Sequence, residues 1–265
     1  MMHKKYRSLG KVALQDALAY RAALFVYMIS TFLFMVATFY LWQAIFAGRG
    51  TLADYSWPQM RAYLLIAFLS NALVSTFTEG NIAYRILDGS LAMDLLKPLD
   101  FQQARLAETL GATVFEGGLS VILLAIALVL FAGGAAPPTA PMTTFFAISL
   151  LLSLLVKFNI VYLAGLLCFW TTSATGVQWT RTAIANFFSG ALVPLALFPH
   201  WLERITLLLP FQAMVYTPTA IYLGRVDQGG ALRLLGLQLF WIVALWFAAK
   251  LVWNVGVRRV TIQGG

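Results

Sequence analysis

Two ionisable residues, Glu116 and Lys157, stand deep inside long apolar runs. An isolated charge at such a depth in hydrocarbon costs at least about 2.5–3.5 kcal/mol, so each requires a partner or a watered cavity. At about 1.5 Å of rise per residue, both fall roughly 15 Å from the same membrane boundary if their runs are helices. The spacing predicts that they reach each other or share one polar cavity. Three uses remain open for them: a buried pair that fixes helix register, the lining of a path through the membrane, or proton coupling.

Other chemistry has few carriers. The histidines are His3 and His200, far apart, and the single cysteine, Cys168, lies in an apolar run. A zinc site, a His-based catalytic centre and a disulfide framework are therefore not expected. Aspartates are confined to loops and helix ends, so an intramembrane hydrolase or transferase, which needs acid, base or metal ligands clustered at one depth, is excluded on the same ground. No catalytic, cofactor-binding or metal-binding residue is expected in this chain.

The elements that must position Glu116 and Lys157 are membrane-spanning. Of 265 residues, 61% are hydrophobic and only 11% charged, against about 25% charged in soluble domains; mean hydropathy is +0.81. The formal charge of +8 flanks apolar segments instead of forming one basic face, which argues against nucleic acid. The sequence predicts an all-α integral membrane protein of one domain over 1–265, with six transmembrane helices at about 22–46, 59–80, 106–132, 142–168, 178–198 and 232–254. The first apolar run is about twice the core of a secretory signal and reads as a retained span. Residues 3–21 predict a basic amphipathic interfacial helix, with Lys4, Arg7, Lys11 and Gln15 on one face. Glu79 and Glu108 read as ordinary interface residues near the cytoplasmic ends of their spans. Asn71, Asn159 and Asn186 suit interhelical hydrogen bonds, and Pro194 is placed to bend the fifth span. With both termini cytoplasmic, Arg49, Arg61, Arg204, Arg225 and Arg233 lie outside and most other Lys and Arg lie inside, as the positive-inside rule requires. The tract at 133–141 is a Pro-rich loop.

Segment 199–223 is too apolar for a plain loop and is cut by Pro199, Pro210 and Pro218 into pieces too short to cross about 30 Å of hydrocarbon. With Trp201 at headgroup level, it predicts an extracytoplasmic re-entrant helical hairpin before the last span.

The most polar internal run is "YRILDGSLAMDLLKPLDFQQAR", Tyr84 to Arg105, which this topology places in the cytoplasm. Ser90 is expected to cap a two-turn helix that Pro98 stops. Ser90, Asp94 and Lys97 would line a free polar face beside Met93, with Leu87, Leu91, Leu95 and Leu96 on the held side. Physics alone leaves two readings open: a plain connector on the membrane surface, or a docking element for a cytosolic partner.

"RILDGSLAMDLLKPL" resembles the R-I-x-x-G-x-L-x-x-x-L-L-K-P-L signature of bacterial type-2 ATP-binding cassette (ABC) exporter permeases. "VPLALFPHWLERITLLLPFQAMVYTPTAIYLG" resembles their late segment. The resemblance implies that 88–97 is a cytoplasmic coupling helix, with Asp88, Gly89, Ser90, Leu91, Met93, Asp94, Lys97 and Pro98 as ATPase-coupling residues. It also implies separate cytosolic ABC ATPase subunits as partners and a second permease chain, like or unlike, forming a dimer. ATP and Mg would reside on the partner, since no phosphate-loop motif occurs here; the nearest pair, Gly10–Lys11, lacks its flanking residues. The expected role is export of a lipophilic or amphiphilic substrate across a bacterial inner membrane. The alternative is an ion-coupled transporter or channel using Glu116 and Lys157.

Overall fold

The computed structural model describes residues 2–19, 21–72, 76–131 and 139–259. The expected loop at 133–141 falls largely outside them, as do positions 73–75 of the second expected span.

Helix α1 (Met2–Ala19) precedes α2 (Arg21–Phe46). The hydroxyls of Ser30 and Thr38 donate to the carbonyls of Val26 and Phe34, which lets polar residues sit in an apolar helix without an orphaned group. A departure from the all-α expectation follows. Strands β1 (Thr51–Leu52) and β2 (Tyr55–Ser56) pair antiparallel across Ala53 and Asp54, both at positive φ (47° and 59°). Such a two-residue turn matches strand twist and closes a hairpin within a short loop. Arg225 lies over the Tyr55 ring at 3.7 Å and donates to the Asp54 carbonyl at 2.7 Å, tying this hairpin to the far end of the 199–225 segment.

Helices α3 (Trp57–Ala72), α4 (Thr76–Leu87) and α5 (Leu91–Leu95) come next, then α6 (Phe101–Phe131) and α7 (Ala140–Leu166). α4 therefore runs beyond the expected boundary at 80, and α6 starts before 106. Asp100 explains the latter: its Oδ1 accepts from the Gln103 amide at 2.9 Å, an N-cap preceding the apolar run. α8 covers only Ala174–Phe188, ten residues short of the expected fifth-span end. It stops because Gly190 turns left-handed (φ 85°) just after Ser189. Pro194 consequently lies outside the helix and bends nothing. α9 (His200–Leu208), α10 (Tyr216–Tyr222) and α11 (Gln228–Gly256) complete the order.

Among the described residues, three helical stretches have the length and composition to cross a membrane: Phe25–Phe46, Ala140–Phe169 and Gln228–Arg259. The second is 61% buried across its most apolar window, against 22% and 17% for the others, so α7 is the central element. It contributes to two apolar clusters. Val156 and Ile160 join Trp42, Tyr63 and Met214; Phe158, Tyr162 and Leu166 join Ile82, Leu91 and Phe101. α7 packs mainly along α11, whereas α6 packs mainly along α1 and α3 and touches α7 only lightly. The expectation that the third and fourth spans are close antiparallel neighbours is thus met only at a small contact. α1 reaches α6 because glycines meet there: a Cβ at Gly111 would collide with the Gly10 carbonyl. Apolar side chains such as Phe25, Leu33, Phe240 and Phe247 are left exposed along α2 and α11, as lipid-facing surfaces require.

Candidate functional site

The junction between α4, α5 and α6 is built from a few local devices. Gly89 at φ 79° turns the chain after α4, and Asp88 Oδ1 accepts from the Ser90 amide at 2.8 Å. That hydrogen bond holds the Asp88 carboxyl below its ordinary pKa. α5 has five residues, and Ser90 offers it no side-chain cap. The predicted Ser90 cap and two-turn helix are therefore corrected: Asp88 organises the turn, and the helix is shorter. Past Pro98, the Asp100 amide donates to the Tyr6 hydroxyl of α1 at 3.2 Å.

The predicted division of faces holds at Leu91, Met93 and Lys97 but fails at Asp94, Leu87, Leu95 and Leu96. Asp94 is buried, while Met93, Leu95 and Leu96 are 65%, 45% and 78% exposed. Leu91 alone of the α5 leucines is buried, in the cluster with Ile82 and Phe101. The outward surface is apolar at Met93, Leu95 and Leu96, continued by exposed Tyr84 and Leu87 and rimmed by exposed Lys97, Pro98, Asp88 and Gly89. A leucine-only account of the inner face fails because a carboxylate with enough cationic partners can be buried in its place.

Those partners come from α4, from the turn that follows α5 and from α6. Arg85 Nη1 of α4 lies 2.8 Å from Asp94 Oδ2, and Lys97 Nζ lies 2.7 Å from Oδ1. Arg105 Nη2 of α6 lies 3.7 Å from Oδ2. Arg105 is itself buried, with Nη1 2.8 Å from Glu108 Oε2 and its guanidinium 5.0 Å from the Phe101 ring centre. Burial works against ionisation of Asp94, but the Lys97 hydrogen bond and the fields of Arg105 and Arg85 outweigh it and lower the carboxyl pKa. Glu108, expected as an ordinary interface residue, is instead the second acid of this network. The side chain of Glu79 lies outside the described ones. The i,i+3 pairs Asp94–Lys97 and Arg105–Glu108 carried a signal in the sequence; Arg85 and Tyr6 did not, since their partners come from tertiary folding.

A second feature lies between α2 and α8. A cleft of about 540 Å³ is walled by Tyr27 and Phe34 on one side and Trp179 on the other, with Asn71, Lys157 and Arg181 at its polar lining. Lys157 is buried and donates to the Asn71 carbonyl at 2.5 Å. Glu116 is buried on α6, where its carbonyl accepts from Ser120 at 2.9 Å. Neither Glu116 nor Lys157 is without polar partners. Asn159 accepts from Gln102 of α6 at 3.4 Å.

In the late segment, Pro199 immediately precedes α9 and Pro210 opens a 3-10 turn, Pro210–Ala213. Pro218 breaks nothing, because it occupies the first turn of α10, where no amide is needed. Trp201 is exposed. The turn is pinned by Gln238 of α11, whose Nε2 donates to the Ala213 carbonyl at 2.8 Å and also faces Ser149 and Ser153 of α7. Sequence patterning gave no hint of Gln238.

A family model described as ABC-2 family transporter protein matches residues 32–264, and the chain belongs to that family. It is a membrane transport component, a permease subunit of an ABC transporter. No curated protein matches the sequence.

Proposed function

We propose that this ABC-2 family chain is the membrane subunit of an exporter whose ATP hydrolysis takes place on a separate cytosolic ATPase, and that residues 88–97 dock that ATPase. The observation that carries the reading is the uncovered apolar face of α5. Met93, Leu95 and Leu96 point away from a bundle that already holds Asp94 and Leu91 on the other side. Exposed apolar groups with a charged rim are the composition of a protein contact.

ATP and Mg belong to the partner on this reading, where hydrolysis supplies the free energy. Among the described residues, the nearest sequence match to a phosphate loop forms no cradle. Gly10 and Lys11 sit mid-helix in α1, with Gly10 against Ala107 and Gly111 of α6, not in a loop opening a helix.

The six-span topology, both termini in the cytoplasm, the bacterial inner membrane and the re-entrant character of 199–223 form part of the proposal. So does a dimer with a second permease, and a lipophilic or amphiphilic substrate. The aromatic-walled cleft between α2 and α8 supports an oily route. The charge pair expected at Glu116 and Lys157 takes a structural or lining role in this scheme, with Lys157 at the cleft edge.

Mild extraction of the tagged chain from its native host, with identification of everything that copurifies, tests the reading. It expects a stoichiometric ATPase; none, even after cross-linking, would overturn it.

A further inference from the structure

Helix α5 is too short to be stable alone, because a single turn fixes several residues for very few hydrogen bonds. Its place in the protein must come from what its inner side touches. Two side chains do this. Leu91 enters the apolar cluster of Ile82, Phe101 and Phe158, a contact without directional preference. Asp94 is different, since its carboxylate makes directional, charge-assisted contacts at 2.8 Å to Arg85 of α4 and 2.7 Å to Lys97, and lies 3.7 Å from Arg105 of α6. Arg105 continues the connection, through Glu108 at 2.8 Å, into the body of α6.

We propose that Asp94 is a positioning residue for coupling: its buried carboxylate ties α5 to α4 and α6 at once, so that a displacement of the outward Met93–Leu96 face is delivered to both helices together. The proposal rests on the docking reading of residues 88–97 and adds to it a route by which motion leaves the docking element. Asp94 does not touch the partner. It acts through Arg85 and Arg105, whose helices touch each other and have different further neighbours: α4 packs on α7 and α8, α6 on α1 and α3. Without the charge, α5 would still present its apolar face, held by Leu91, but would move without carrying its neighbours.

The test uses the complex of this chain with its copurifying ATPase in lipid nanodiscs. Cys168 is replaced by Ser and one cysteine is placed in the cleft by Thr31→Cys. The readout is the rate of labelling by a water-soluble maleimide with and without MgATP and vanadate. In this parent, ATP is expected to change the rate by about fivefold or more, the lower end of ordinary coupling between sites. Asp94→Asn is expected to retain the ATPase and its hydrolysis while the ATP response falls below about twofold. Asp94→Glu, which restores the charge, is expected to recover it; a merely structural role would not separate capture from response in this way. If Asp94→Asn does not fold, Arg85→Gln, which cuts only the arm to α4, carries the same expectation.

A full ATP response in a folded Asp94→Asn complex overturns the proposal. So does loss of ATPase capture in that variant, which would make Asp94 a determinant of the docking face itself. A parent that captures no ATPase defeats the docking reading and this proposal with it, and is recognised before any variant is made.

Discussion

Asp94 and Arg85 meet at 2.8 Å across nine positions of sequence, joining the short helix α5 to the end of α4. Their contact, with Lys97 and Arg105 around the same carboxylate, turns Asp94 inward beside Leu91 and leaves Met93, Leu95 and Leu96 outside.

The first prediction concerns pH. A carboxyl whose folded-state pKa is depressed stabilises the fold above its unfolded value of about 3.9, and that stabilisation is lost as pH falls through the lower folded value. Asp94 is depressed in this way. Thermal unfolding of the detergent-solubilised chain should therefore lose midpoint temperature as acid is added below that unfolded value. Asp94→Asn should show a shallower loss, retaining the share due to Asp88, which is also depressed. Superimposable profiles would contradict the assignment.

The second concerns the seat of α1. Gly111→Ala places a methyl where the Gly10 carbonyl stands, and overpacking of this kind costs about 1–3 kcal/mol. The first helix should detach before the rest, seen as faster proteolysis within residues 5–19 with little change elsewhere. An unchanged digestion pattern would mean that the helices are not in contact at these glycines.

A third prediction follows from Gln238. Gln238→Leu removes the donor that reaches the Ala213 carbonyl and the serines of α7. The expected loss is about 1 kcal/mol, the usual size for a hydrogen bond within a membrane bundle or a little above. Thermal unfolding in detergent measures it, and a stabilised variant would show that the polar knot is not what holds the 3-10 turn.

Sidedness supplies a fourth. In a Cys168→Ser background, a cysteine at Trp201 should react with an impermeant maleimide in intact cells. A cysteine at Asp88 should react only after permeabilisation. The opposite pattern would invert the topology.

Much of the bundle was legible because long apolar runs have one use in a membrane: α2, α7 and α11 follow the runs beginning near 22, 142 and 232. Boundaries set by one residue were harder to read. Gly190 ends α8 well before the apolar run ends, and Asp100 starts α6 before its run begins. The face of α5 was misread at Asp94, Leu95 and Leu96 for a physical reason. Periodicity assigns leucine inward and aspartate outward, but three cations make the buried carboxylate favourable, and two of them, Arg85 and Arg105, are neighbours only after folding. The i,i+3 partners, Lys97 for Asp94 and Glu108 for Arg105, were the readable part.

The most direct measurement is ATPase capture by the tagged chain carrying Met93→Glu and Leu96→Glu together, compared with the unsubstituted chain at matched extraction and folding. Both side chains are exposed, so the bundle should remain intact while the outward face of α5 turns from apolar to charged. The account predicts that the unsubstituted chain holds a stoichiometric ATPase and the double variant loses it. Equal capture by both would contradict the claim that the outward face of α5 is where this permease meets its ATPase.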